Sequence, residues 1–427
     1  MPSSSVAAEE FVAARPSPLV RGFFCRTLPL VLPRLGVVGV DYDEGDLARV
    51  RALAGERVLL VPNHPTNTEP ALLFHLSCRV GQPFHFLACR EAFEPFWGAW
   101  GQIIRRVGAF SVVRGTADRA SFRATRDLLA RENSKLVAFP EGEVYSQNDT
   151  LLPFNAGIFQ LAFWALDDLH KAGKGDEPLY VLPVALKYRF VRDMTPAIRA
   201  SLARLERFNG LPSDRTENAY HRLRRIGLTM LCSVEHEYRL PTPTGEAAEA
   251  DLTPRMTAIK EAILQRVATA AGVPLPKGDT LPDRMRALIH VVEEVTEGEP
   301  VREAPTPYER SLRNEQRERA RPLLRDLKRL ANYVALTDNY VRADPTPERM
   351  ADTIQRLERE SFGHAILDGP RRCRVRIGQP INLADRYAGY QKAKRAEVAR
   401  VTHEVEAQVL ALLRDPAAVA ASGGGAA

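Results

Sequence analysis

The sequence predicts an α/β protein: a mixed, mostly parallel sheet flanked by helices, with a large helical insertion. Three observations carry this. Between residues 37 and 192, short apolar runs alternate with longer stretches of helical period. From 193 to 370 only the helical period remains, in long charged stretches. At 373–383 the segment CRVRIGQPINL alternates like a strand again, so the chain is expected to return to the sheet. The domain reading is therefore 1–36 a tail with a candidate interfacial helix, 37–192 the α/β core, 193–370 a helical insertion, and 371–427 a return strand, a C-terminal helix and a flexible tail. A length of 427 residues suits two such units.

Residues 1–17 read as a loose tail. GVVGV then reads as a strand, EGDLARVRALAG as a helix and RVLLVP as a buried strand. EPALLFHLSCRV is expected to be helical, FHFLAC a strand, and FEPFWGAWGQIIRRV one helix or two short ones. Strand AFSVV, helix ADRASFRATRDLLARE and strand KLVAFP follow. Helix NAGIFQLAFWALDDLHKAG and strand LYVLPVALKYRF complete the alternation. In the insertion, Leu323, Leu327, Leu330 and Val334 form one apolar stripe, and Ile354 and Leu357 belong to another. Proline-rich connectors such as LPTPTGE and REAPTPYE separate its helices. A single charged helix is expected over roughly 387–414, followed by the flexible ASGGGAA.

Composition narrows the function classes. Hydrophobic content of 45% and charged content of 26% are those of a folded globular chain. Residues 193–370 hold 27 basic and 28 acidic side chains, leaving 32 basic against 25 acidic elsewhere. The net charge of +6 therefore sits outside the insertion, as suits a core facing anionic lipid or phosphate; a mildly basic solvated surface is the plainer reading. The arginines of 310–329 are interleaved with Glu309, Glu315, Glu318 and Asp326, which argues against nucleic-acid binding. Five scattered cysteines without a C-x-x-C pair predict no disulfide framework and fit a reducing compartment. The N-terminus lacks the pattern of a secretory signal. No run of 18 uninterrupted apolar residues occurs, so no transmembrane helix is expected. The segment 18–40 mixes Phe23, Phe24 and Leu28 with Arg21, Arg26 and Arg34; it reads equally as an interfacial helix or as one packed on the core.

The chemistry-bearing residues cluster at strand exits. In VPNHPTNTEP, residues 61–70, a buried strand ends in Asn63-His64 and a helix begins near Glu69. Thr66 or Thr68 can cap that helix, and Pro70 is tolerated in its first turn. Across such a turn the Glu69 carboxylate can fold back to His64, fix one ring nitrogen as a donor and leave the other to accept a proton. On this stretch alone, a His64 bonded to nearby backbone remains an equal alternative. In VAFPEGEVYS a second buried strand ends in Pro140-Glu141-Gly142, where the glycine permits a tight turn. If the two strands are parallel, Glu141 lies at the same sheet edge as His64, the edge at which open α/β sheets bind ligands. Arg90 and Arg114 each follow another strand, and two arginines so placed make a phosphate clamp. His75, Cys78 and His85 match no zinc spacing, so no metal is expected there.

The order and spacing of these pieces resemble the glycerolipid acyltransferase family, which includes the lysophosphatidic acid (1-acylglycerol-3-phosphate) acyltransferases. The family's N-H-x-x-x-x-D motif reads here as Asn63-His64 through Glu69, with glutamate for aspartate. Its F-P-E-G motif is intact as Phe139-Pro140-Glu141-Gly142, continuing Glu143-Val144-Tyr145-Ser146 in place of the usual small residue and arginine. Arg90, Gly108-Ala109-Phe110 and Arg114 match the second region loosely. PFNAGIFQLA resembles the family's helix entry with Gly157, and VLPVAL its apolar-flanked proline, Pro183. The resemblance covers roughly 55–190.

It implies direct acyl transfer from a thioester to a hydroxyl at a membrane surface. His64 is expected to be the general base and Glu69 its orienting partner. Arg90 and Arg114 hold an acceptor phosphate. Glu141 contacts acceptor hydroxyls or braces the arginines, and backbone near Gly142 is a candidate oxyanion donor. Without a G-x-S-x-G elbow, no acyl-serine is suggested. The implied partners are acyl-CoA or acyl-carrier protein as co-substrate, a lysophospholipid (1-acylglycerol-3-phosphate first) and the cytoplasmic side of a membrane, with peripheral or monotopic attachment and no cofactor. Two other readings stay open: another lysolipid or an aminolipid as acceptor, and a degenerate lipid-binding or scaffold protein.

Overall fold

The structure, a computed structural model, describes residues 11–96, 98–113, 118–214, 216–245, 251–276, 281–297, 306–333, 337 and 339–414. The chain divides into two compact units, one formed by Glu10–Val191 with Pro370–Ala427 and the other containing Arg192–Gly369.

The first unit is built on one sheet. Its strands are β1 (Val37–Tyr42), β2 (Arg57–Pro62), β3 (His85–Cys89), β4 (Ala109–Val112), β5 (Lys135–Val137), β6 (Leu179–Phe190), β7 (Arg371–Ile377) and β8 (Ile381–Asn382). They lie in the order β1-β7-β6-β2-β5-β3-β4, with β8 paired to β6. From β6 to β4 all neighbours are parallel; β7 and β8 run antiparallel to β6, and β1 runs parallel to β7. The sheet is thus mixed and mostly parallel, and the expected return strand is β7, wedged between β1 and β6.

β2 is buried along its whole length, as a strand with neighbours on both sides and helices on both faces must be. Its side chains alternate between two cores. Leu59 and Val61 join one core with α5 (Arg119–Ala130), α6 (Gly157–Lys171) and the last helix of the chain. Val58 and Leu60 join the other, with α1 (Pro18–Val31), α2 (Glu44–Ala52) and α3 (Glu69–Val80). α4 (Ala99–Arg106) lies before β4. Gly108, at φ +109°, is required there, because a Cβ would stand 2.7 Å from the Phe84 carbonyl oxygen. Pro183 sits inside β6 where β7 has ended and β8 has not begun; its carbonyl accepts from Gly378 N–H at 2.8 Å, so its missing N–H breaks no ladder.

Three expectations are corrected. Residues 11–17 are not loose: Val12 exchanges hydrogen bonds with Ser111 on the edge strand β4, and the N–H groups of Arg15 and Ser17 donate to Arg105 and Arg106 carbonyls at 2.8 Å. That covers an otherwise unpaired edge. The single charged helix is two, Tyr387–Lys392 and Lys394–Arg414, broken at Ala393 (φ −149°, ψ 71°). Lastly, Cys25 and Cys78 form a disulfide, because α1 packs against α3 and brings their Cα atoms to 5.6 Å. Cysteine usage therefore no longer argues for a reducing compartment.

The second unit is helical among its described residues. It comprises α7 (Thr195–Phe208), α8 (Ala219–Glu237), α9 (Thr253–Ala270), α10 (Leu281–Glu297), α11 (Pro307–Tyr333), α12 (Asn339–Ala343) and α13 (Pro347–Phe362). Leu327, Leu330, Ile354 and Leu357 are buried in its core and Leu323 partly so; Val334 lies outside the described residues. Arg222–Glu206 and Arg255–Glu235 are buried bidentate pairs, each charge satisfied by the other.

Candidate active site

β2 and β5 are parallel neighbours, with Leu60 opposite Val137, so both strands deliver their exits to one edge of the sheet. β2 stops at Pro62 while β6 runs on. Asn63 fills the gap with its side-chain amide, which accepts from Leu186 N–H at 2.7 Å and donates to Leu186 C=O at 3.0 Å. Asn148 does the same for Tyr188, at 2.6 and 2.7 Å. Two amides thus stand in for the missing strand and satisfy β6.

His64 follows, with 16% of its side chain exposed. Its backbone N–H donates to Glu141 Oε1 at 2.7 Å, and its ring stacks on Phe139 with centroids 4.1 Å apart. Nδ1 lies 2.7 Å from Glu69 Oε2. Glu69 is fully buried and takes three further donors: Thr66 N–H at 3.0 Å on Oε2, and the hydroxyls of Thr66 (2.6 Å) and Tyr188 on Oε1. A carboxylate has about four lone-pair sites, and here each meets a hydrogen. Such an acceptor-only group requires Nδ1 to carry the ring proton, which leaves Nε2 as an acceptor. The open choice at His64 is thereby resolved geometrically: its backbone and its ring are both held, by different carboxylates.

Thr68 occupies the cap position of α3 without a side-chain bond; Thr66 Oγ1 instead accepts from Thr68 N–H at 3.1 Å. Pro70 is in the first turn, as expected.

Glu141 faces inward. Its two oxygens accept from the backbone N–H groups of His64 and Leu152, the latter at 3.0 Å. Through these two bonds Glu141 braces the β2 exit against the β5 exit, a role the sequence did not suggest. Burial pushes its carboxyl up to about 7, against the opposing effect of the two N–H bonds and of His64. An acid raised from 4.5 in the unfolded chain binds its proton more tightly when folded. Its contribution to stability is thus complete below pH 4.5 and is lost as pH rises through about 7, a change on the order of 3 kcal/mol. Glu141→Gln removes the titration and leaves one N–H facing an amide, which costs about 1–3 kcal/mol at every pH. Urea unfolding at pH 5 and pH 8 is expected to show a smaller pH dependence in Glu141→Gln than in the wild type; equal slopes would contradict this.

Gly142 adopts φ +72° and its N–H donates to Phe139 C=O at 3.1 Å, closing the turn. The oxyanion donor expected near Gly142 is thus not simply this N–H. Arg90 opens a short 3-10 turn after β3, the strand beside β5. It stands two strand spacings from β2, about 10 Å. Its buried Nε has no hydrogen-bond partner among the described residues. Arg114 lies outside the described residues. His64, Glu69, Glu141, Gly142 and Arg90 therefore share one sheet edge.

Residues 45–187 match the model of the family described as Acyltransferase. This segment is an acyltransferase domain. It belongs to the glycerolipid acyltransferase family that the motifs resembled, and the chain is an acyltransferase. Among curated proteins none matches the chain. The matched span of the acyltransferase holds every candidate site residue and ends just before Tyr188, which sequence reasoning missed. Alternation along β6 carried the one usable signal: it puts Tyr188 on the α3 side, with Leu186 and Val184. Among the described residues no group of three His, Cys, Asp or Glu side chains is arranged to hold a metal. His75 bonds Tyr42 at 2.8 Å and Cys78 is in the disulfide.

Proposed function

We propose that the acyltransferase moves a fatty acyl group from acyl-CoA or acyl-carrier protein to a lysophospholipid hydroxyl at a membrane surface, with 1-acylglycerol-3-phosphate as the acceptor and His64 as the base. The observation that carries this is the saturation of Glu69 by four donors, which commits Nδ1 and turns Nε2 into a proton acceptor. The acceptor hydroxyl gives its proton to Nε2 as its oxygen attacks the thioester carbonyl. The C–S bond of the tetrahedral intermediate then breaks, the proton passes from the imidazolium to the leaving thiolate, and ester and free thiol remain. Arg90, with a buried unpartnered N–H beside the site, supports an anionic acceptor group.

α1 supports the membrane reading. Leu19, Phe23 and Leu30 are 86%, 61% and 70% exposed, with Arg26 and Arg34 also at the surface. An apolar helix face that carries Arg26 within it and Arg34 just beyond its end suits an anionic lipid interface. Arg21 takes no part, because its guanidinium donates to the Ser77 and Gln82 carbonyls at the end of α3. Among the described residues no helix is long and apolar enough to cross a membrane, so peripheral attachment is the reading proposed.

The full chain, phosphatidylglycerol vesicles carrying lysophosphatidate, and labelled acyl-CoA or acyl-carrier protein test this. Phosphatidate and free thiol are expected in equal amounts, and vesicle binding is expected to fall in Leu19→Ser/Phe23→Ser/Leu30→Ser. Absence of transfer to any member of a lysolipid and aminolipid panel would overturn the proposal.

A further inference from the structure

The site contains a fixed point that its motif does not. His64, Thr66 and Glu69 all belong to one short segment that runs from the end of β2 into the first turn of α3. The bonds from Thr66 N–H and Thr66 Oγ1 to Glu69 are internal to that segment and move with it. Tyr188 is different. It comes from β6, 119 positions further along the chain, and its hydroxyl donates to Glu69 Oε1. Thr66 Oγ1 also stands 3.3 Å from that hydroxyl.

Tyr188 is itself held on every side. It is 1% exposed, its backbone N–H and C=O are both taken by the Asn148 amide, and the Arg371 guanidinium lies 5.2 Å from its ring centroid. Burial, followed by the nearby Glu69 charge, raises its phenol well above the ordinary value, so the hydroxyl keeps its proton and stays a donor. The glutamate at position 69 now has a reason. Its extra methylene, relative to the aspartate of the family motif, carries the carboxylate inward to β6 while Oε2 still reaches the imidazole.

We propose that Tyr188 is a positioning residue for acyl transfer: its hydroxyl anchors the Glu69 carboxylate to the sheet, so that Glu69 holds the His64 ring at a fixed angle toward the acceptor. This rests on the reading of His64 as the base. Tyr188 is buried behind Glu69, out of reach of either substrate, so its loss is expected to act on the chemical step and not on binding. One hydrogen bond to a charged group corresponds to about a 10-fold change or somewhat more.

Tyr188→Phe in the full chain keeps the ring and its packing. With lysophosphatidate and acyl-CoA on vesicles, kcat is expected to fall about 10-fold while KM for both substrates holds. A merely structural role would lower the active fraction or the unfolding midpoint without a kcat effect per active molecule. Glu69→Asp supplies the second variant, since a shorter carboxylate cannot meet both His64 and Tyr188. In that background Tyr188→Phe is expected to add little, giving a clear coupling in the double-mutant cycle. A Tyr188→Phe enzyme with kcat within twofold of wild type, or effects that multiply independently with Glu69→Asp, would overturn the inference. His64→Ala, run alongside, separates the two failures: activity surviving there overturns the base itself.

Discussion

Replacing His64 with alanine is expected to lower kcat by about 10²–10⁴, the usual worth of a general base, with little change in KM. The substitution is structurally mild. The backbone N–H that anchors the loop to Glu141 is kept, and Glu69 retains its donors from Thr66 and Tyr188. What is lost is the ring, partly exposed at the sheet edge and stacked on Phe139. Arg90, the proposed acceptor contact, lies about two strand spacings away and is left intact. Steady-state kinetics against both substrates, with circular dichroism and vesicle sedimentation as controls, check this. Near-wild-type turnover would remove His64 from the chemistry while leaving the acyltransferase assignment of 45–187 untouched.

That His64 was legible at all follows from how strands end. RVLLVP is too continuously apolar to be anything but a central strand, and a polar residue directly after it must leave the sheet. KLVAFPEG reads the same way, and the parallel register of β2 and β5 then forces both exits together. Helix α3 begins and ends where its composition says, from Glu69 to the αL glycine at 81. Pairing partners were a different matter. Alternation in CRVRI announces a strand, but only the packed structure seats Val375 between Tyr42 and Leu186. Cys25 and Cys78 stand 53 positions apart with no spacing signal, and only the approach of α1 to α3 joins them. The break at Ala393 was hidden because Tyr390 and Val401 fall a whole number of turns apart, so the apolar period runs through it.

Within the site, legibility stopped at side-chain direction. A glutamate after a buried strand can face substrate or turn back to bare backbone donors, and nothing in PEG distinguishes the two. Glu141 turns back, because the N–H groups of His64 and Leu152 have no strand to pair with there. For Tyr188 the alternation of β6 gave its face but not its partner: it belongs to no motif, and it meets Glu69 only because β6 outruns β2.

Glu69→Ala is expected to be at least as damaging as loss of the base, for two reasons that a second substitution separates. Alanine strands four donors: His64 Nδ1–H, Thr66 N–H and the hydroxyls of Thr66 and Tyr188. In a buried site this costs about 3 kcal/mol of stability. It also frees the imidazole to take the other tautomer, which in a triad-like arrangement lowers kcat by about 10⁴. Glu69→Gln is milder, because of how the donors divide between the two carboxylate oxygens. The two fixed donors, Thr66 N–H and His64 Nδ1–H, share Oε2, while both partners of Oε1 are hydroxyls. An amide oxygen can take the first position and its NH2 the second, because hydroxyls rotate to accept. Glutamine therefore preserves the tautomer and removes only the charge that stabilises the imidazolium. The expected order of kcat is wild type, then Glu69→Gln, then Glu69→Ala, with unfolding midpoints in the same order. Equal kcat for the two variants would mean that the charge alone matters; a glutamine enzyme as slow as alanine yet as stable as wild type would show that holding the ring in place counts for nothing.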